Sequence, residues 1–139
     1  MSEARIRQLE DRVEPPYRSR GEAQVGRFFD RYRIPFFYEP ALLIMDRGLY
    51  RIWYPDFTLP DHQHLVIEYA GMMELPDYAA GIRHKQEVYA ANCIRALFVY
   101  PEDIIGSNWP GQLLRRIDEA MELQPRTPDI YSLYRCLRP

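Results

Sequence analysis

The spacing of hydrophobic residues divides most of the chain into amphipathic helices and short strands. Val25, Phe29 and Tyr32 recur at helical intervals after Ser19, which predicts a helix over residues 19–33. Two later stretches repeat this period, and apolar runs bounded by Pro, Gly and Asp predict strands between them. The predicted later helices span residues 77–91 and 110–123, and the predicted strands span 36–44, 49–59, 65–69 and 94–100.

The order of these elements, α-β-β-β-α-β-α, predicts the fold class. The first two strands form a hairpin around the turn at residues 46–48, and the helix at 77–91 crosses over to the fourth strand. Such an order is typical of an α/β fold in which helices flank a mixed central sheet. The 139 residues correspond to one domain. We divide it into an N-terminal arm or helix (1–16), a core (17–105), and a C-terminal helix and tail (106–139).

The composition narrows the classes of protein to which the chain can belong. Hydrophobic residues make up 47% of it, which argues against a wholly disordered chain. No apolar run reaches the roughly 18 residues of a membrane span, so we expect no membrane partner. The charged N-terminus lacks the apolar segment of a secretory signal. Cys93 and Cys136 show no metal-binding or redox spacing, and we predict reduced thiols in a cytoplasmic protein.

The charge is unevenly distributed along the chain. The net charge is -2, which argues against a nonspecific coat on nucleic acid. Residues 18–33 nevertheless hold five arginines against two acidic residues, and are either a solvated helix face or a surface that contacts phosphates. Of the 18 basic residues 17 are arginine, and Lys85 is the single lysine. A lysine can release its proton, whereas an arginine cannot.

One carboxylate lies in each of the second and third predicted strands. Strand side chains alternate between faces, and the connection at 60–64 makes these two strands neighbours, so Asp56 and Glu68 can meet across the pair. Two like charges on a half-buried sheet are unfavourable unless a cation lies between them, and carboxylate oxygens suit Mg²⁺ or Mn²⁺. The alternative is a pair at the rim of the sheet, solvated or bound to Arg51.

These residues carry a resemblance to a known superfamily. The triplet PDF at 55–57, followed after nine positions by IEYAG at 67–71, resembles the PD-(D/E)xK (restriction-endonuclease-like) nucleases, whose αβββαβ core is similar to the predicted order over residues 17–105. The resemblance implies that Asp56 and Glu68 bind a divalent ion, with help from Glu22 and the backbone carbonyl of Tyr69. The lysine that usually follows the Glu by two residues is replaced here by Ala70.

The single lysine offers a substitute for the missing one. In some branches of the superfamily the lysine lies on the next helix, in a pattern that Tyr78, Lys85 and Tyr89 match. Lys85 shares the apolar helix face with Ile82 and Tyr89, from which it could reach over Ala70 or could simply extend along the edge of the core. The resemblance implies that Lys85 orients or deprotonates the attacking water.

Three further assignments complete the predicted site. Glu22 either contributes to the metal site or belongs to a capping box with Ser19. His62 and His64 are interpreted as part of a polar turn. Phosphate contacts are predicted for Arg18, Arg20, Arg27 and His84.

The leading functional hypothesis is a metal-dependent endonuclease that hydrolyses phosphodiester bonds of nucleic acid, with DNA favoured over RNA. One such site cuts one strand, so cutting a duplex would require a homodimer or two binding events. By analogy with the family, a larger complex with a helicase, transposition or defence partner would supply specificity. The alternative, motivated by Ala70, is a noncatalytic nuclease-fold module that binds nucleic acid or a protein partner.

Overall fold

The computed structural model of the chain describes residues 13–122. The predictions for residues 1–12 and for the tail from 123 onwards lie outside this range. The described helices are α1 (Arg20–Arg31), α2 (Pro76–Ala91) and α3 (Trp109–Glu122). The strands are β1 (Phe37–Tyr38), β2 (Leu42–Asp46), β3 (Leu49–Trp53), β4 (Phe57–Leu59), β5 (Leu65–Tyr69) and β6 (Ala96–Val99), with short 3-10 turns at Pro60–His62 and Pro101–Ile104.

The central sheet has four strands in the order β1-β4-β5-β6. The β1–β4 and β4–β5 pairs are antiparallel, whereas β5 and β6 are parallel and are joined by α2 as the crossover. On one face, α1 and α3 cover the sheet through a core that includes Phe29, Phe57 and Ile117. The other face packs against α2 through Ile82 and Tyr89. The predicted α/β class with a mixed sheet is thereby confirmed.

The predicted first hairpin is divided into two separate ladders. Tyr38 pairs with Phe57 in the central sheet, and Leu42 pairs with Trp53 in a two-stranded sheet formed by β2 and β3. The register is the same in both ladders, and continuing it between them places Pro40 opposite Pro55. Neither proline has an N–H group to donate, so the ladder stops there. The prediction of uninterrupted strands over 36–44 and 49–59 is therefore wrong.

Helix α1 is anchored at its N-terminus close to the end of β5. The Ser19 side chain caps the helix by accepting a hydrogen bond from the Glu22 N–H. The first turn lies directly against the Tyr69 ring, since a Cβ at Gly21 would come within 2.0 Å of Tyr69 Cζ. Glycine is thus required for this close approach. As a result Glu22 lies on the buried face of the helix.

Strand β5 distributes its side chains between the two faces as its alternation predicts. Ile67 and Tyr69 contact the core beneath α1 and α3, whereas Val66 and Ala70 contact the core beneath α2. Glu68 lies between Val66 and Ala70 in this alternation, and it is buried. The strand therefore presents one carboxylate within an otherwise apolar face that α2 covers.

The structure bears on two predictions, that of reduced cysteines and that of no membrane-spanning segment. Cys93 is disulfide-bonded, so the prediction of a reduced thiol is wrong at this position, and Cys136 lies outside the described residues. Sequence spacing cannot detect such a bond, because it depends on which segments the fold brings together. Over residues 13–122, none of the helices has the length and apolar character needed to cross a membrane.

Candidate active site

Asp56 and Glu68 are neighbours at one end of the β4–β5 ladder. Phe57 pairs with Ile67 there, so the next positions in the register are Asp56 and Glu68. Asp56 lies immediately before β4 rather than within a strand, because the ladder opposite β1 breaks at Pro55. Its Oδ2 atom accepts a hydrogen bond of 2.7 Å from the Tyr69 N–H. This bond extends the contact between the two strands by one residue and holds the Asp56 carboxyl at the end of β5.

The electrostatic environment of Asp56 disfavours its ionised form. Burial, followed by the nearby Glu68 charge, raises the pKa of Asp56 from an ordinary 3.8 to about 7. The Tyr69 N–H bond opposes this rise, Glu22 adds to it weakly, and Lys85 opposes it weakly. A carboxyl group in such surroundings is ionised at neutral pH only at a free-energy cost, unless a cation compensates it.

Glu68 is held by two side chains that α2 supplies. The carboxylate is 2% exposed. The Tyr89 hydroxyl donates to its Oε1 atom at 2.8 Å, and the Lys85 Nζ atom lies 3.2 Å from its Oε2 atom. Burial and the Glu68 charge raise the pKa of Tyr89 above its usual range, so the phenol remains a donor. Lys85 and Tyr89 are four residues apart and share a helix face, which explains why both reach the same carboxylate.

A third polar group on the same face of α2 contacts the backbone at the end of β5. The Tyr78 hydroxyl accepts a hydrogen bond of 3.1 Å from the Gly71 N–H and lies 3.5 Å from the Tyr69 carbonyl oxygen. Ala70 itself is fully buried. The helix face that the sequence predicts for Tyr78, Lys85 and Tyr89 is thus directed at residues 68–71, although the lysine position of the usual motif contains only a methyl group.

Glu22 is buried but is bound to other side chains. Tyr38 donates to its Oε1 atom at 2.7 Å, and Ser19 donates to its Oε2 atom at 3.1 Å. Over residues 13–122, no group of three or more His, Cys, Asp or Glu side chains is arranged to hold a metal ion. Both Glu22 oxygens thus have donors in Tyr38 and Ser19, and the Glu22 charge still contributes to the raised pKa of Asp56. The capping alternative holds in part, since Ser19 accepts from the Glu22 N–H.

Two of the arginines predicted to contact phosphate form ion pairs at the surface. Arg18 lies 2.7 Å from Glu39, and Arg27 lies 3.0 Å from Glu14. Together with Arg20 they line an open groove of about 670 Å³ at the N-terminal end of α1. Arg20 and Arg27 are on the exposed face of the helix, whereas Glu22 is on the buried one. The groove is thus on a different side of α1 from the carboxylates.

The remaining predicted residue, His84, is directed away from Lys85. Its Nε2 atom lies 2.8 Å from Asp46 Oδ2 at the end of β2, and its ring packs at the edge of Trp53. Sequence reasoning missed Asp46 and also Tyr38, the partner of Glu22. These contacts span 38 and 16 residues, and no local pattern indicates them. Both His62 and His64 lie at the β4–β5 connection, where a polar turn was predicted.

Comparisons of the chain with protein-family models, with curated proteins and with solved structures found no match. The chemistry open to the site follows from its own residues. Asp56 and Glu68 supply carboxylate oxygens, Tyr69 supplies a carbonyl oxygen at the same end of β5, and Lys85 supplies one ammonium group. Such a set can bind a hard cation and can orient a water molecule or a phosphate oxygen beside it.

Proposed function

We propose that this chain is a metal-dependent nuclease of the PD-(D/E)xK superfamily that hydrolyses phosphodiester bonds of DNA. The observation that carries the proposal is the placement of Asp56 beside Glu68, with Lys85 Nζ 3.2 Å from the Glu68 carboxylate. The topology supports it as well. With the β2–β3 hairpin set aside, the elements α1, β1, β4, β5, α2 and β6 follow the order αβββαβ.

The donor set fits a small divalent cation in its chemistry. Asp56, Glu68 and the Tyr69 carbonyl offer hard oxygen ligands, which Mg²⁺ and Mn²⁺ prefer. Mg²⁺ usually keeps several of its waters and binds through one or two carboxylates, so a third carboxylate such as Glu22 is not needed. Burial, followed by the Glu68 charge, raises the pKa of Asp56, and a cation between the two carboxylates would stabilise the ionised form. A bound ion would make water more acidic and stabilise charge on the phosphate.

The surrounding side chains keep the reactive groups in place. Tyr89 fixes one oxygen of Glu68, and the Tyr69 N–H fixes one oxygen of Asp56. Lys85 has three N–H donors, of which one is directed at Glu68, so two are available for the attacking water and a phosphate oxygen. The Lys85 side chain is 41% exposed, which leaves it accessible to a substrate. In this proposal the Lys85 ammonium group, held by Glu68, orients the attacking water.

The groove at the start of α1 is the proposed contact for the nucleic-acid backbone. Arg20 is exposed and forms no ion pair with the described residues. Both arginine side chains are more than 60% exposed, although Glu39 is only 24% exposed, and ion pairs at the surface contribute little to stability. Phosphates could therefore replace Glu39 and Glu14 as their partners at small cost.

One observation favours a second candidate, a noncatalytic module with this fold. Both Glu68 oxygens have a donor in α2, and Ala70 occupies the position of the usual lysine. These contacts would also be explained by a purely structural role, in which Glu68 attaches α2 to the sheet and binds no metal. In that case the protein would bind nucleic acid or a protein partner without cleaving anything.

A cleavage assay separates the two candidates. Labelled single-stranded, double-stranded and branched DNA, and RNA, would be incubated with Mg²⁺, Mn²⁺ or EDTA. We expect cleavage that requires metal and that falls about 100-fold or more in both Asp56→Asn and Lys85→Ala. Two control variants change exposed residues of the same charge. Asp61→Asn is the control for Asp56→Asn, Arg83→Ala is the control for Lys85→Ala, and both should leave the cleavage rate unchanged. Circular dichroism would confirm that every variant is folded.

The outcomes have distinct meanings. Cleavage that survives Lys85→Ala but is lost in Asp56→Asn would support the metal site and reject the role of the lysine. The absence of cleavage on every substrate, with no heat released when Mg²⁺ or Mn²⁺ is titrated, would favour the noncatalytic module.

A further inference from the structure

The β2–β3 hairpin has an apolar face that no described residue covers. Strand alternation directs Ile44 and Trp53 toward α2, where Ile44 is buried and Trp53 packs on Tyr89. The opposite side of the hairpin, called here the outer face, consists of Leu43, Met45, Tyr50 and Ile52. Within the outer face, Leu43, Tyr50 and Ile52 are more than half exposed. The adjoining Tyr54 is also more than half exposed.

The chemistry of the outer face identifies the class of partner. Leu43 pairs directly with Ile52, and Met45 pairs with Tyr50, so the face contains no charged side chain. Nucleic-acid backbones are bound through Lys and Arg, and the nearest strand arginine, Arg51, alternates to the other side of the hairpin. Exposed aromatic and aliphatic residues without charges are instead typical of the buried centre of a protein–protein interface.

We infer that the outer face packs against the outer face of a second copy of this chain. A two-fold interface brings the same patch from each copy together, and a patch without charges meets itself without like-charge repulsion. The side chains of Leu43, Tyr50, Ile52 and Tyr54 together offer about 450 Å² of exposed surface. This is more than half of the roughly 800 Å² that each partner buries in a standard interface. Two-stranded ribbons are marginally stable alone, so covering the second face would also stabilise the hairpin.

The dimer would have a direct consequence for the candidate active site. The hairpin leads into the site through Trp53, whose ring centroid lies 5.5 Å from that of Tyr89, and through Asp56 three residues later. Two copies joined at the outer face would carry two Asp56–Glu68 pairs in one particle. If the proposed nuclease function also holds, such a particle has the two sites that cutting both strands of a duplex requires.

Light scattering after size exclusion tests the inference without nucleic acid or metal, so its result does not depend on the proposed nuclease. The full chain would be measured in EDTA from about 5 to 100 µM, and we expect a mass twice the 16.6 kDa of one copy. Ile52→Lys places a charge in the outer face and should weaken dimerisation at least tenfold. Leu49→Lys is the matched control, because Leu49 is similarly exposed but pairs with Asp46 on the other side of the hairpin.

Both variants should give the circular dichroism of the wild-type chain, since both positions are exposed. A dimer that dissociates with Ile52→Lys and persists with Leu49→Lys would support the inference. A monomeric wild-type chain at 100 µM would overturn it, and so would a dimer that Ile52→Lys leaves intact or that both substitutions weaken equally.

Discussion

The raised pKa of Asp56 predicts that replacing this residue with asparagine stabilises the metal-free protein at neutral and alkaline pH. Asparagine has the shape of aspartate, and its side-chain oxygen can still accept the hydrogen bond from the Tyr69 N–H. The substitution removes the charge that is buried beside Glu68. The metal-free variant is therefore expected to be more stable than the wild type, although it lacks the Asp56 charge that is proposed to bind the metal.

The size and sign of the effect follow from the two pKa values of Asp56. In the unfolded chain the carboxyl titrates near 3.8, and in the folded chain near 7, so the folded state holds more protons between these values. The free energy of unfolding therefore falls as the pH rises from about 4 through about 7. A difference of about three pH units at 1.36 kcal/mol each gives ~4 kcal/mol, and partial solvent exposure reduces the expected loss to about 2–4 kcal/mol.

Urea denaturation measures this loss. The free energy of unfolding of the wild-type chain and of Asp56→Asn would be determined in EDTA at pH 4.5, 6 and 8, using the fluorescence of Trp53 and Trp109. The difference between the two proteins isolates Asp56 from the other titrating groups. We expect Asp56→Asn to gain about 2–4 kcal/mol relative to the wild type between the lowest and highest pH. Mg²⁺ at pH 8 should stabilise the wild type and leave the variant unchanged.

The control is Asp61→Asn, which removes an exposed carboxylate from the neighbouring turn. Its difference from the wild type should stay within about 0.5 kcal/mol at every pH. A difference between the wild type and Asp56→Asn that does not change with pH would refute the reasoning, because it would mean that Asp56 titrates at the same pH in the folded and unfolded chains.

Two further substitutions test the contacts around the site. Tyr89→Phe removes the donor to the buried Glu68 carboxylate and should lower the free energy of unfolding by roughly 1–3 kcal/mol, measured by urea denaturation. Gly21→Ala places a Cβ within 2.0 Å of the Tyr69 ring and should cost about 1–3 kcal/mol. Gly81→Ala is its matched control: Gly81 lies within α2 with open space around it, so alanine should stabilise the chain by about 0.5–1 kcal/mol. Equal effects at the two glycines would contradict the close contact between α1 and Tyr69.

Local periodicity predicts the neighbouring carboxylates and the face of α2 on which Lys85 and Tyr89 lie. Strand alternation and a short connection are enough to place Asp56 beside Glu68, since the antiparallel register follows from the length of the turn. Helical spacing is enough to put Lys85 and Tyr89 on one face. Each of these predictions depends on residues that are close in sequence or on a single pair of strands.

Predictions about partners across the fold were less successful. The arginines Arg18 and Arg27 look unpaired in sequence, yet each meets a carboxylate, Glu39 or Glu14, brought close by the path of the chain. The acceptor role of Glu22 toward Tyr38 was missed for the same reason. Long-range ion pairs and hydrogen bonds depend on packing angles between elements, and a sequence pattern contains no information about these angles.

The sequence by itself determined the element types, the mixed α/β class and the residues that meet at the end of β5, because hydrophobic period and chain connectivity are local properties. The tertiary structure alone decided that Pro40 and Pro55 face each other and divide the hairpin, and that the outer face of β2–β3 is left uncovered. It also decided the raised pKa of Asp56. Burial and the charges of Glu68, Glu22 and Lys85 come from several elements at once, and their sum exists only when those elements are packed together.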